Sequence, residues 1–153
     1  MADRADAGRG RILMVDDDAD FFELVRLAFA RVDPGVQIDH VLDGGRCLDF
    51  LQRRPPYAQA PSPDIIMLDL DMPGMGGRET LERIVADETL RHLPVVIFTS
   101  HDGYSEVMRM YRTRRNAYLS KPFGMAACVD MARKFCDFWF SAALLPSRAR
   151  VIR

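Results

Sequence analysis

The chain holds 153 residues, 48% of them hydrophobic, with a formal net charge of −1. That suits one domain with a packed core, and it argues against a disordered chain, a second full domain or the basic footprint of a general nucleic-acid binder. The polar opening from Met1 to Asp6 has no apolar signal core, and no apolar run approaches the roughly 20 residues that span a bilayer, so a cytoplasmic protein is expected.

Residues 1–10 read as a flexible leader of small and charged residues. Ile12-Leu13-Met14-Val15 is then a short continuous apolar run, the pattern of a strand buried on both faces, and it ends at three acids. Phe21, Leu24, Val25 and Ala28 follow at helical spacing until Asp33-Pro34-Gly35 imposes a turn. Val36 to Val41 alternates apolar and polar, as an edge strand does, and Gly44 to Arg53 makes a second helix with Cys47, Leu48 and Leu51 on its apolar side. The proline-rich stretch 55–63 cannot continue a helix and is expected to be a surface loop.

Ile65-Ile66-Met67-Leu68 is the next buried strand, and Leu81, Ile84 and Val85 mark the helix after it. Pro94 opens the strand Val95-Val96-Ile97-Phe98, with Val107, Met108 and Tyr111 on the fourth helix. Ala117-Tyr118-Leu119 is a last short strand, the final helix runs from Gly124 to Phe140, and residues 141–153 form a tail. Cys47, Cys128 and Cys136 are odd in number and widely spaced, so buried inert thiols are expected rather than a disulfide framework. The arginines at 112, 114 and 115, and again at 148, 150 and 153, read as solvated surface or tail.

Five strands alternating with five helices predict an α/β fold: a doubly wound parallel sheet covered on both faces, joined by right-handed crossovers. Ligands of such sheets lie outside the carboxyl ends of the strands. The residues in those places are Asp16, Asp17 and Asp18; Asp69 and Asp71; Thr99 and Ser100; and Lys121-Pro122. Converging carboxylates repel one another, and a bound cation relieves them. An all-oxygen set of one or two carboxylates that keeps several waters suits Mg2+. A carboxylate beside Mg2+ can attack a phosphoryl donor, while an ammonium (Lys121) and a hydroxyl (Thr99) hold the charged oxygens of the transition state. Each piece has a plainer role: an Asp after a strand often only caps a helix, as Asp18 or Asp20 would, and Lys-Pro is often only a turn.

These motifs together resemble the response-regulator receiver domains. The resemblance rests on Ile12-Leu13-Met14-Val15-Asp16-Asp17, the run from Ile66 through Asp69-Leu70-Asp71-Met72-Pro73-Gly74-Met75-Gly76-Gly77, Pro94 through Thr99-Ser100, and Ala117-Tyr118-Leu119-Ser120-Lys121-Pro122-Phe123. It covers residues 11–140 and implies a flavodoxin-like (βα)5 sheet of order 2-1-3-4-5. It implies that Asp69 is the phosphoacceptor and that Asp17 and Asp69 ligate Mg2+, with the backbone carbonyl of Asp71 as a third ligand and Asp16 acting partly through water. Lys121 would bind the phosphoryl group, the bond to Pro122 would be cis, and Thr99 and Tyr118 would carry the switch to the surface of the fourth helix, fifth strand and last helix. Asp71 and His101 lie where side chains border the path of the hydrolytic water, and Asn116 replaces a glycine usual before the last strand.

Gly77-Arg78-Glu79, Leu90-Arg91-His92-Leu93-Pro94 and Phe138-Trp139-Phe140 resemble more narrowly the stand-alone regulators of phytochrome-type histidine kinases. Such a switch turns over only its own phosphoryl group and signals to a downstream protein, and too little chain follows Phe140 for a DNA-binding output domain. The last helix carries Met131 and Phe138 beside its core stripe of Met125, Cys128, Val129, Ala132, Phe135, Cys136 and Trp139, which suggests a face for a second copy. The alternative is a phosphatase of the haloacid-dehalogenase type using the Asp69/Asp71 pair. Against it, that pair usually comes in the first strand and further acids follow the lysine. A calcium loop at residues 16–20 lacks the required glycine and glutamate.

Overall fold

The computed structural model describes residues 9–99 and 117–147, apart from the side chain of Thr99. Its strands are β1 (Gly10–Val15), β2 (Val36–Val41), β3 (Ile65–Leu68), β4 (Val95–Thr99) and β5 (Ala117–Ser120). They pair in parallel in the order β2-β1-β3-β4-β5, as expected. The described helices are α1 (Ala19–Val32), α2 (Gly44–Leu51), α3 (Gly77–Ala86) and α4 (Gly124–Phe135). The predicted helix around Met108, together with Ser100, His101 and Asn116, lies outside the described residues.

Alternation along each strand divides the core into two layers. Leu13, Val15, Ile66, Leu68, Val95 and Ile97 face α2 and α3. Ile12, Met14, Ile65, Met67, Val96 and Phe98 face α1 and α4. Both sides of β1, β3 and β4 are therefore buried, which is why these strands read as unbroken apolar runs.

Helix ends follow local chemistry. Asp18 caps α1 by accepting from the Phe21 N–H at 3.0 Å, the plainer role considered for it. Asp43 caps α2 in the same way through Arg46. Helix α2 stops at Leu51, two residues before the expected end, because Arg53 adopts a φ of 54°.

The last helix departs from expectation in its winding. It is α-helical only to Phe135 and then π-helical over Cys136–Ala142. A π turn brings residues five apart together, and Phe135 meets Phe140 at 5.9 Å between ring centroids, while the Ala143 N–H donates to the Phe138 carbonyl at 2.7 Å. Some residues of the expected leader and tail, 9–10 and 141–147, are described and packed. Arg9 pairs with Asp33 at 2.8 Å, Gly10 begins β1, Leu145 is buried, and the Ser147 hydroxyl donates to Asp64. The three cysteines are buried and free, and burial pushes the Cys47 thiol up to about 12 and Cys136 up to about 11. Among the described residues no helix is long and apolar enough to cross a membrane.

Candidate functional site

Register alone brings the acids together. Val15 pairs with Leu68 across β1 and β3, so Asp16 and Asp69, the next residues on each strand, leave the sheet side by side. The main chain holds both: the Asp16 N–H donates to Val41 at 3.1 Å and the Asp69 N–H to Val15 at 3.0 Å. Asp17 follows on the same loop, exposed. One carboxylate oxygen from each of Asp16, Asp17 and Asp69 lies within 4.8 Å of the others. Lys121, one residue past β5, sends its ammonium between them, 2.7 Å from Asp16 Oδ2 and 3.3 Å from Asp69 Oδ2. The same ammonium sits 4.8 Å from the centre of the Phe21 ring, which stacks on Phe98 of the core.

The electrostatics are those of a site with excess negative charge. Burial, then repulsion from Asp16, pushes the Asp69 carboxyl up to about 6, against the opposing pull of the Asp71 N–H and Lys121. Burial by itself would lower the Lys121 pKa, but the Asp16 and Asp69 carboxylates outweigh it and raise it, so the side chain stays a cation. Asp16 Oδ2 is buried and, for all its nearness to the ammonium, makes no hydrogen bond of good angle among the described residues. A buried carboxylate oxygen that pairs with the ammonium without a well-angled hydrogen bond, two more carboxylates and purely oxygen donors fit a hard divalent cation.

The predicted site residues fall into those the structure brings together and those it does not describe. Asp16, Asp17, Asp69 and Lys121 converge. Asp71 touches Asp69 through its backbone N–H, which donates to Asp69 Oδ1 at 3.2 Å, while its side chain is exposed. Tyr118 is half-buried on β5 and packs against the layer under α2 and α3. The Thr99 side chain and His101 lie outside the described residues, and the main chain of Thr99 pairs with Ser120 at the end of β4.

One expectation fails. The Lys121–Pro122 bond is trans, and the cis X-Pro bond among the described residues is Pro55–Pro56. Trans is the lower-energy form of an X-Pro bond by about 0.5–1 kcal/mol, and in that form Lys121 already reaches both carboxylates.

Sequence reasoning missed His40. Its Nε2 lies 2.7 Å from the Asp16 carbonyl, and its ring stacks on Phe22. The alternation of β2 put His40 on the inner face with Val36 and Ile38, a signal that a residue at this edge strand could reach the acidic loop.

At the far edge, Met131 and the exposed Phe138 line an apolar groove of about 480 Å3 with Leu119, Pro122, Phe135 and Trp139.

An acidic cluster and a lysine at the carboxyl rim of a 2-1-3-4-5 sheet define the class: the chain belongs to the response regulator receiver domain family, whose model matches residues 12–133. Receiver domains are the signalling switches of two-component systems, and they bind a divalent metal at this acidic pocket. The particular relatives are stand-alone regulators. The chain is 32% identical to response regulator Rcp1 of Synechocystis sp. over 140 residues, 89% of this chain and 92% of Rcp1. It superposes on phosphorylated RcpA, a cyanobacterial phytochrome response regulator, with a TM-score of 0.82 at 30% identity, covering 90% of this chain and 98% of RcpA. The Mn2+-bound form of Rcp1 aligns with a TM-score of 0.78 at 29% identity, covering 90% of this chain and 99% of that one. Nothing supports the phosphatase alternative.

Proposed function

We propose that this receiver accepts a phosphoryl group from a histidine kinase on Asp69, with Mg2+ bound beside it, and passes the signal to a downstream protein. The observation that carries the reading is the convergence of Asp16, Asp17, Asp69 and Lys121 on one pocket. Relatives that are phytochrome response regulators support a phytochrome-type kinase as the donor, and a cytoplasmic setting goes with it. Asp17 and Asp69, the Asp71 carbonyl and Asp16 would hold the ion, which neutralises charge on the phosphoryl oxygens. In the transfer the P–N bond to the kinase histidine breaks, a P–O bond to the Asp69 carboxylate forms, and the nitrogen keeps the electron pair and takes up a proton. Lys121 then moves from the acceptor carboxylate to a phosphoryl oxygen, and the Thr99 hydroxyl donates to another. Tyr118 follows, changing the surface of the predicted fourth helix, β5 and α4, while Asp71 and His101 border the water that ends the signal.

Incubation with acetyl phosphate and Mg2+, read by intact mass, tests this. The expected gain is about 80 Da, one phosphoryl group, absent in EDTA and absent in Asp69→Asn. Uptake that persists in Asp69→Asn overturns the assignment.

The partner at the far edge is a second copy of the chain, seated on the groove that Met131 and Phe138 line. Asp130 and Lys134 form an ion pair at 2.9 Å on its rim, and a two-fold contact lets each answer the opposite charge of the other copy. Sedimentation at tens of micromolar, with and without beryllofluoride, should show dimers, and Phe138→Glu should weaken them at least about tenfold. A strict monomer under both conditions removes the dimer.

A further inference from the structure

We infer that His40 is a positioning residue for the acidic loop, acting through the main chain of Asp16; the inference rests on the metal-binding reading above. A carbonyl oxygen only accepts, so the His40 Nε2 that lies 2.7 Å from the Asp16 oxygen carries the hydrogen and donates it. That oxygen belongs to the peptide plane joining Asp16 to Asp17. The preceding plane is held as well, because the Asp16 N–H donates to Val41 at 3.1 Å. Two consecutive residues of β2 therefore grip both peptide planes flanking Asp16, which fixes its backbone dihedrals and the direction in which its side chain leaves. The Asp16 carboxylate is turned further by accepting from the Asp18 N–H at 2.9 Å through Oδ1, which leaves Oδ2 for the pocket. His40 is itself held flat on Phe22 of α1, with ring centroids 4.1 Å apart and planes 13° apart.

The need for such a grip is electrostatic. Three carboxylates brought within 4.8 Å repel, and a free loop would relieve that strain by turning Asp16 and Asp17 apart. A donor on the joining peptide holds the arrangement before a cation arrives, as partners behind metal ligands commonly do, at a worth of 10–100-fold in affinity. The stacking and the donation are separable. His40→Phe keeps a flat ring on Phe22 and removes the donor, whereas His40→Gln keeps an N–H of similar reach.

The metal-free protein gives the first reading. Long-range nitrogen–proton NMR at about pH 8 should show the neutral His40 ring with its hydrogen on Nε2, and the opposite tautomer overturns the inference. Calorimetry with Mg2+ should show affinity at least about tenfold weaker in His40→Phe and within about threefold of the parent in His40→Gln. The melting temperature of His40→Phe in EDTA should stay within a few degrees of the parent, and saturating Mg2+ should restore its initial rate of acetyl phosphate uptake. Parental Mg2+ affinity in His40→Phe, or equal loss in His40→Gln, overturns the positioning role alone. A parent that binds no Mg2+ overturns the site reading and this inference together. Should His40→Phe not fold, the tautomer and the His40→Gln affinity decide.

Discussion

Lys121→Met should lower the stability of the metal-free protein by about 2 kcal/mol at neutral pH, and millimolar Mg2+ should return most of the loss. The lysine is the cation that both buried carboxylates share, at 2.7 Å from Asp16 and 3.3 Å from Asp69. Removing one partner of a buried pair leaves uncompensated charge, which commonly costs 3–5 kcal/mol. The value here sits below that range because Lys121 is partly solvated, at 18% exposure, and because Asp69 can escape by protonation. The pH dependence has a definite sign. The folded-state pKa of Asp69, about 6, lies above its ordinary 3.8, so the stability linked to its proton is present below the ordinary value and lost as pH rises through about 6. Without Lys121 the carboxyl moves further up. The penalty is then largest near pH 8 and shrinks near pH 5, where Asp69 holds its proton. Urea unfolding in EDTA at those two pH values, repeated with Mg2+, reads all of this. An equal penalty at both, or no recovery with Mg2+, means the carboxylates are not the charges that Lys121 holds together. Acetyl phosphate uptake should stay depressed by about a hundredfold even with Mg2+ restored, because the ion does not replace the ammonium on the phosphoryl oxygens.

The parts of the fold that were legible in the sequence are those with a period. Ile12–Val15, Ile65–Leu68 and Val95–Phe98 are unbroken apolar runs because helices cover both faces of the strands, and that burial is what the structure shows. Parallel strands with buried faces also place the site at their carboxyl ends, which is how Asp16, Asp17, Asp69 and Lys121 could be picked out from the chain alone. What escaped has no period or depends on a distant partner. The stripe from Met125 to Trp139 is apolar whether the turns are α or π, so the change of winding at Cys136 leaves no mark. Leu145 is buried and Ser147 meets Asp64, 83 residues away, in a segment with no sequence period. His40 sits in a visible alternation, but its partner is a carbonyl, and main-chain acceptors carry no residue identity to read. The Lys121–Pro122 bond is trans, and the dipeptide alone does not specify the isomer.

Gly77→Ala should disable the site without touching a charged group. A Cβ at Gly77 would fall on the Asp69 carbonyl oxygen and within 2.8 Å of Leu70 Cα and 2.9 Å of the Asp69 carbonyl carbon. All three are main-chain atoms, so no side-chain rotation relieves the overlap, and either the first turn of α3 or the loop carrying Asp69 must move. The Gly77 N–H donates to the Leu70 carbonyl at 3.3 Å, which ties the two segments at this contact. Forced overpacking costs about 1–3 kcal/mol, and the gain of an alanine in a helix offsets up to about 1 kcal/mol of it. The loss in chemistry is the larger effect. A reacting group displaced by about 1 Å can lose a hundredfold in rate, so acetyl phosphate uptake should fall by more than about tenfold even where the protein stays folded. Gly45→Ala is the control, since its Cβ would meet only Asp43 Oδ1 at 3.4 Å at the half-buried start of α2. It should leave uptake unchanged and leave stability equal or raised by up to about 1 kcal/mol. Urea unfolding and timed intact-mass measurements on the two variants separate the outcomes. A Gly77→Ala protein as fast as the parent means α3 does not press on the loop carrying Asp69, and the position of Asp69 is then set by β3 and Lys121 alone.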